Sequence, residues 1–319
     1  MNDSLSIKNR NSISQIIKKN ILIISIIVLF IFFSVACKGF LSVRNIFVIL
    51  RSMSTIAIIG VGLTFVLTIG EIDLSIASLP AIAGCMIPYL LEMKMNIILI
   101  TILAIAVAVG FGFINGALVS QTKLPGIILT MAVSMIASGI AWTISNQRTN
   151  VVQEKSFLDF FGGTIGRFPV IVIWMGICTA VGTFMLHKTR FGKNVAFVGE
   201  NREAARYAGI NVNLIILIAF VLSGLFCAIG GFAELSIASS AHPAMLSEKM
   251  MTVIAAVILG GTSLEGGQGN VIGTVMAAFF LTVISNGFLL LGIEQWVLHL
   301  INGIVIIAML ILRHTGNNK

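Results

Sequence analysis

Ten apolar runs, most of them close to the length of a membrane-crossing helix and separated by short polar connections, constrain this chain more than anything else in its sequence. They fall at about 21–37, 52–69, 74–91, 97–118, 125–145, 168–186, 213–234, 250–260, 271–291 and 296–312. About 20 apolar residues in a helix cross a hydrocarbon core, and the runs lack the alternation of a lipid-facing barrel strand. Only 10% of the 319 residues are charged, whereas a soluble domain carries about 25%. The expected fold is an all-α integral membrane protein of about ten transmembrane helices, some broken or re-entrant. The run at 250–260 is too short to cross alone. It either borrows residues from Ser247 onward or forms half of a re-entrant hairpin.

The net charge of +8 would suggest a nucleic-acid partner in a soluble protein, but here the basic residues sit in short segments between apolar runs, as positive-inside topology requires. The most basic connection, 187–213, carries Lys188, Arg190, Lys193, Arg202 and Arg206 against Glu200 and Glu203, which places it in the cytoplasm. Six spans precede it and four follow, so both termini fall on its side: a tail at 1–20 with Lys8, Arg10, Lys18 and Lys19, and a tail at 313–319 with Arg313 and Lys319. Between them, 21–312 is one polytopic domain. The run 21–37 exceeds the apolar core of a usual signal peptide and reads as an uncleaved first span. Lys38, Arg44 and Arg51 fall on the opposite side from the other basic clusters. Phe40, Val43, Phe47 and Leu50 recur there at helical spacing, which suggests an amphipathic helix lying at the interface. Cys37, Cys85, Cys178 and Cys227 lie too far apart for a zinc or redox motif and read as small packing residues.

Within this apolar frame, "IGEIDLS" at 69–75 sets two carboxylates between spans. Residues two apart on a helix point about 200° apart, so Glu71 and Asp73 cannot face one cavity from a continuous helix. Either Gly70 ends one span and Asp73 caps the next, with Glu71 solvated or paired, or the break lines a path through the membrane. Pro80 and Pro88 in the following span support irregular helix geometry. The glycine-dense "GGTSLEGGQGNVIG" at 260–273 lacks the lysine and spacing of a phosphate loop and fits a tight turn between short helices, with Glu265 exposed. No Walker-type loop occurs, and the four histidines are scattered without metal-ligand spacing, so neither a metal site nor a catalytic constellation is expected. In "GENREAARYAGIN", Asn201 caps a short polar helix that Gly209 stops. That helix is either a plain surface element or a docking knob for a cytoplasmic partner. Asn115 and Asn286 each open an Asn-Gly pair in an apolar run, a faint internal repeat.

Four stretches, "GEIDLSIAS", "GFINGALVSQTKLPGIILTMAVSMIASGIA", "TRFGKNVAFVGENREAARYAGINV" and "VILGGTSLEGGQGNVIGT", resemble in order the signature stretches of the membrane permease subunits of ribose-, xylose- and galactose-type ABC sugar importers. The resemblance implies a permease that pairs with a second copy or a paralogue. It implies that solute arrives from an extracytoplasmic sugar-binding protein and that a separate cytoplasmic ATPase, carrying ATP and Mg, drives the cycle, with no cofactor on this chain. It also turns the short polar helix into a coupling helix, with Arg202, Glu203, Ala204, Ala205 and Arg206 as docking residues. Glu71, Asp73, Ser75, Asn115, Thr130 and Asn286 become candidates for the lining of a sugar path. Where this chain has Glu71 the family usually has a second glycine, and where it has Glu265 and Gln268 the family often has Ser and Arg. The expected function is import of a pentose or hexose by alternating access in the bacterial inner membrane. The rival readings are an autonomous ion-coupled carrier or channel and, within the family, a permease for a furanosyl autoinducer, a polyol or a nucleoside.

Overall fold

A computed structural model of the chain describes residues 21–122 and 124–317. Thirteen α-helices are formed among the described residues, which divide into two compact units, one of residues 21–49 with 279–317 and one of residues 50–278. Seven helical segments are long and apolar enough to cross a membrane, and three shorter apolar helices bring the number close to the ten expected spans. A helix satisfies every backbone group internally, which is why apolar runs of this length settle on it in lipid.

The first unit holds α1 (Ile21–Ala36), the opening turns of α2 (Val43–Thr68), the end of α12 (Val271–Leu290) and α13 (Gln295–Asn317). Phe33, Phe40, Ile49 and Val283 pack together without exposure, beside Phe30, Phe279 and Phe288. Gly287 leaves room for the Phe33 ring, and the buried Cys37 thiol donates to the Gly287 carbonyl at 3.5 Å. Arg44 and Arg51 do not lie on a separate interfacial helix. They belong to α2, whose 26 residues run about 39 Å without interruption. The helical spacing was real, but the apolar residues after Arg51 continue the same helix. The helix α13 extends to Asn317, past the expected end of the last span at 312, while the basic tail residues of 1–20 and Lys319 lie outside the described residues.

In the second unit, α4 (Ile97–Gln121) packs along α10 (Val212–Ala238). Their seam is built of small residues: a Cβ on Gly112 would fall 2.5 Å from the Phe220 carbonyl oxygen, and one on Gly224 would fall 2.4 Å from that of Ala108. Backbones in such close approach let dispersion hold helices together where no hydrophobic force acts between them. Against this pair stand α3 (Leu79–Glu92) and α5 (Gly126–Ile144), while α7 (Val170–Lys188) lies against α2, where a Cβ on Gly182 would fall 2.4 Å from the Val61 side chain. Pro80 sits in the first turn of α3, where its missing N–H costs nothing, and Pro88 lies inside that helix. The connection 145–169 folds into structure that the hydropathy pattern did not foresee. It forms β1 (Asn150–Val151), α6 (Lys155–Gly162), β2 (Thr164–Ile165) and β3 (Phe168–Pro169), with β1 antiparallel to β4 (Ser240–Ala241). Phe161 stacks on Trp174, whose indole N–H donates to the Phe160 carbonyl at 2.9 Å. The doubtful eighth span is α11 (Met250–Leu259), about 15 Å long. It does not borrow from Ser247 onward, because residues 243–249 are turns, and at this length it is too short to cross a hydrocarbon core alone. All four cysteines are buried and free, as packing residues should be.

Candidate functional site

The four motif stretches come together at the break that follows α2. Gly70, at φ +77°, ends that helix in a left-handed turn: the Gly70 N–H donates to the Leu67 carbonyl at 2.9 Å and the Glu71 N–H to that of Val66 at 3.1 Å. This is the Schellman arrangement, which satisfies orphan carbonyls of the last turn and needs a residue tolerant of positive φ. Asp73 then opens a 3₁₀ turn (Leu74–Ala77) as its N-cap. The capping expectation for Gly70 and Asp73 therefore holds in detail.

Asp73 is fully buried. One carboxylate oxygen accepts from the Ser75 N–H at 2.9 Å and from the Ser75 hydroxyl at 2.5 Å, and the other accepts from the Ser223 hydroxyl of α10 at 2.7 Å. The Asn115 amide of α4 donates to the Ser75 oxygen at 2.9 Å, while its own Oδ1 is buried with no partner among the described residues. From α5, the Thr130 hydroxyl donates to the Ile72 carbonyl at 3.2 Å and accepts from the Leu74 N–H at 3.1 Å. Asp73, Ser75, Asn115 and Thr130 thus form one cluster, held by hydrogen-bond donors and the first turn of a helix rather than by a cation. Ser223 was missed by the sequence reading. Its signal was a Ser-Gly pair in a run that is otherwise apolar, the composition of a close helix contact with a polar group at its centre.

Two candidates do not join this cluster. Asn286 lies in the first unit, where it and Asn45 exchange amide hydrogen bonds at 2.9 and 3.0 Å. Glu71 turns away toward α9 (Arg202–Tyr207), where its Oε1 accepts from the Arg202 guanidinium at 2.6 Å. Arg202 also reaches the Ile69 carbonyl at 3.4 Å, so it bridges both sides of the Gly70 turn.

The basic connection is a pair of helices. Ahead of α9 stands α8 (Arg190–Glu200), capped by Thr189, whose hydroxyl accepts from the Gly192 N–H at 3.2 Å. Phe191, Val195 and Val198 repeat at helical spacing there, a signal that was readable in the sequence. The predicted cap of α9 is present: the Asn201 side chain accepts from the N–H groups of Glu203 and Ala204 at 3.0 and 2.9 Å. Ala205 faces inward and is buried, whereas Glu203, Arg206 and Tyr207 are exposed. Between α8 and the break there is no room for a side chain. A Cβ on Gly199 would fall 1.9 Å from the Thr68 carbonyl oxygen, and that oxygen accepts from the Gly267 N–H at 2.9 Å. The glycine-dense segment 260–270 is the tight turn expected of it, and its exposed Glu265 takes no part in the cluster. No group of three or more His, Cys, Asp or Glu side chains able to hold a metal occurs among the described residues.

Residues 45–310 match the family model described as the permease component of a branched-chain amino acid transport system. The chain belongs to this permease family. It is 32% identical over 291 residues to the ribose import permease protein RbsC of Escherichia coli strain K12, a match covering 89% of this chain and 90% of that one. It is also 32% identical over 314 residues to the L-arabinose ABC transporter permease protein AraH of Azospirillum brasilense, covering 97% and 92%. A probable ABC transporter permease, YphD of Escherichia coli strain K12, is 32% identical over 301 residues, covering 93% and 91%. No solved structure gave a significant match. The permease is thus a multi-pass α-helical membrane protein, and the motifs that carried the resemblance are the segments that meet at the Gly70 break.

Proposed function

We propose that this permease is the membrane subunit of an ATP-driven importer for a small sugar, a pentose or hexose, working by alternating access in a bacterial inner membrane. The observation that carries the proposal is the convergence at one break. A buried polar cluster suited to line a path lies within three residues of an ion pair to an exposed, capped helix suited to dock a partner. The family description names branched-chain amino acids, but relatives matched over about nine-tenths of their length are named for ribose and L-arabinose, which favours a sugar.

In this arrangement α8 and α9 face the cytoplasm with both termini, and Glu203, Arg206 and Tyr207 present the docking surface to an ATPase that holds ATP and Mg. Arg202, Ala204 and Ala205 hold that surface in place. An extracytoplasmic binding protein delivers the sugar, and a second permease copy or a paralogue completes the path. Asp73, Ser75, Asn115 and Thr130 supply its polar lining on this side of the assembly, with Asn286 a candidate for a separate stretch of it. A weak lining suffices because tight recognition belongs to the binding protein and the free energy to ATP.

The test is to purify the tagged permease in mild detergent from its native membrane, identify the stoichiometric partners, and reconstitute the complex in vesicles. An ATPase partner, uptake that requires ATP, and a co-purifying binding protein that takes a pentose or hexose are the expected results. Uptake that follows an ion gradient with the permease alone would replace the proposal with an ion-coupled carrier.

A further inference from the structure

We infer that Glu71 is a positioning residue for transport, tying the docking helix α9 to the segment that carries Asp73; this rests on the ATP-driven reading above. The Arg202 guanidinium holds the Glu71 carboxylate at 2.6 Å and the Ile69 carbonyl at 3.4 Å, gripping the chain on both sides of Gly70. The other carboxylate oxygen of Glu71 lies against Gly126, the first residue of α5: a Cβ there would fall 2.1 Å from it. One carboxylate therefore sits between the cation of α9 and the positive end of α5.

Beyond Glu71 the segment has no slack. Thr130 of α5 fastens Ile72 and Leu74, and Asp73 is fastened to Ser75 and, through Ser223, to α10. A displacement of α9 is passed through Arg202 and Glu71 to backbone that ends, two residues later, in a fully buried carboxylate. The pair is half-sheltered, with side-chain exposures of 14% for Glu71 and 38% for Arg202. Pairs so exposed add little to static stability, but a tie between two elements that move is read in their coupling.

The experiment uses the full complex in vesicles and reads sugar uptake per ATP hydrolysed for the wild type, Glu71→Gln, Glu71→Arg, Arg202→Glu and the exchanged pair Glu71→Arg with Arg202→Glu. Glu71→Gln keeps the shape and removes the charge. It should lower uptake per ATP about fivefold or more while the ATPase stays bound and active. The exchanged pair restores the attraction but sets a cation against the start of α5, so it should regain part of what Arg202→Glu alone loses; lost uptake per ATP with the ATPase still bound and the melting temperature unchanged is the readout that a merely structural role would not give. Wild-type uptake per ATP in Glu71→Gln, or an exchanged pair no better than the worse single reversal, overturns the inference and leaves the ATP-driven reading standing. Wild-type uptake that needs no ATP overturns both. Should Glu71→Gln fail to assemble, Gly126→Ala decides, since it keeps both charges but displaces the carboxylate. Loss of coupling in that variant supports the tie, and full coupling refutes it.

Discussion

Replacing Ser223 by alanine removes the hydroxyl that donates to Asp73 Oδ2 at 2.7 Å, the single hydrogen bond that oxygen receives among the described residues. Asp73 and Ser223 both have 0% exposure, so bulk water does not take the place of the lost donor. A hydrogen bond to a charged acceptor, lost with the acceptor left buried, costs about 1.5–3 kcal/mol. At about 1.5 °C per kcal/mol for a chain of this length, the purified permease should melt roughly 2–5 °C lower. The charge is tested by a double-mutant cycle with Asp73→Asn. An asparagine keeps the Ser75 N–H as donor to its oxygen and offers its amide to Ser223, whose hydroxyl turns round to accept. In that background Ser223→Ala breaks a neutral bond, and its cost should fall to about 0.5–1.5 kcal/mol. Thermal melts of the four proteins in one detergent give the coupling. A wild-type-background cost no greater than that of alanine at the exposed Ser247, or equal costs in both backgrounds, would refute the view that Ser223 supports the Asp73 charge.

Two further outcomes follow from close approach. Gly199→Ala puts a methyl group 1.9 Å from the Thr68 carbonyl oxygen and 2.5 Å from the Gly267 nitrogen, so α8 must move away from the break, at a cost of about 1–3 kcal/mol. Trypsin should then cut faster after Arg202 and Arg206, and an unchanged digestion rate would show that the contact is loose. Gly112→Ala places its methyl 2.5 Å from the Phe220 carbonyl oxygen in the α4 and α10 seam, again at about 1–3 kcal/mol, whereas alanine at the open Gly139 should be neutral or stabilising. Equal melting temperatures for these two variants would contradict the packing described.

Much of the architecture was legible because lipid allows few solutions: an apolar run must become a helix, and its count and approximate ends follow. The caps were legible for the same local reason. Gly70, Asp73, Asn201 and Gly209 each carry the one conformational or hydrogen-bonding property that their place demands. What stayed hidden depended on distant partners. Hydropathy cannot show that Glu71 and Arg202, 131 residues apart, form an ion pair, nor that Ser223 completes the Asp73 cluster. The repeat linking Asn115 with Asn286 set two asparagines side by side in the reading, yet each finds its amide partner in a different unit. Arg44 and Arg51 misled for another reason, since a basic face on a short helix and the first turns of a long one share the same spacing.

The two acids of "IGEIDLS" differ in how their charge is matched, and that difference assigns the fixed and the movable side of the joint. Asp73 is fully buried and matched by three donors, the N–H and hydroxyl of Ser75 in its own turn and the hydroxyl of Ser223 in α10; moving it would leave several buried polar groups unpaired at once. Glu71 is matched by a single cation whose side chain keeps 38% of its surface exposed, so water can replace either partner when the two separate. Breaking the outer pair is therefore the cheaper motion, and breaking the inner cluster the costlier one. Movement at α9 up to the strength of the outer pair is therefore passed on to the Asp73 segment with the cluster's hydrogen bonds intact, and only larger movement should part Glu71 from Arg202.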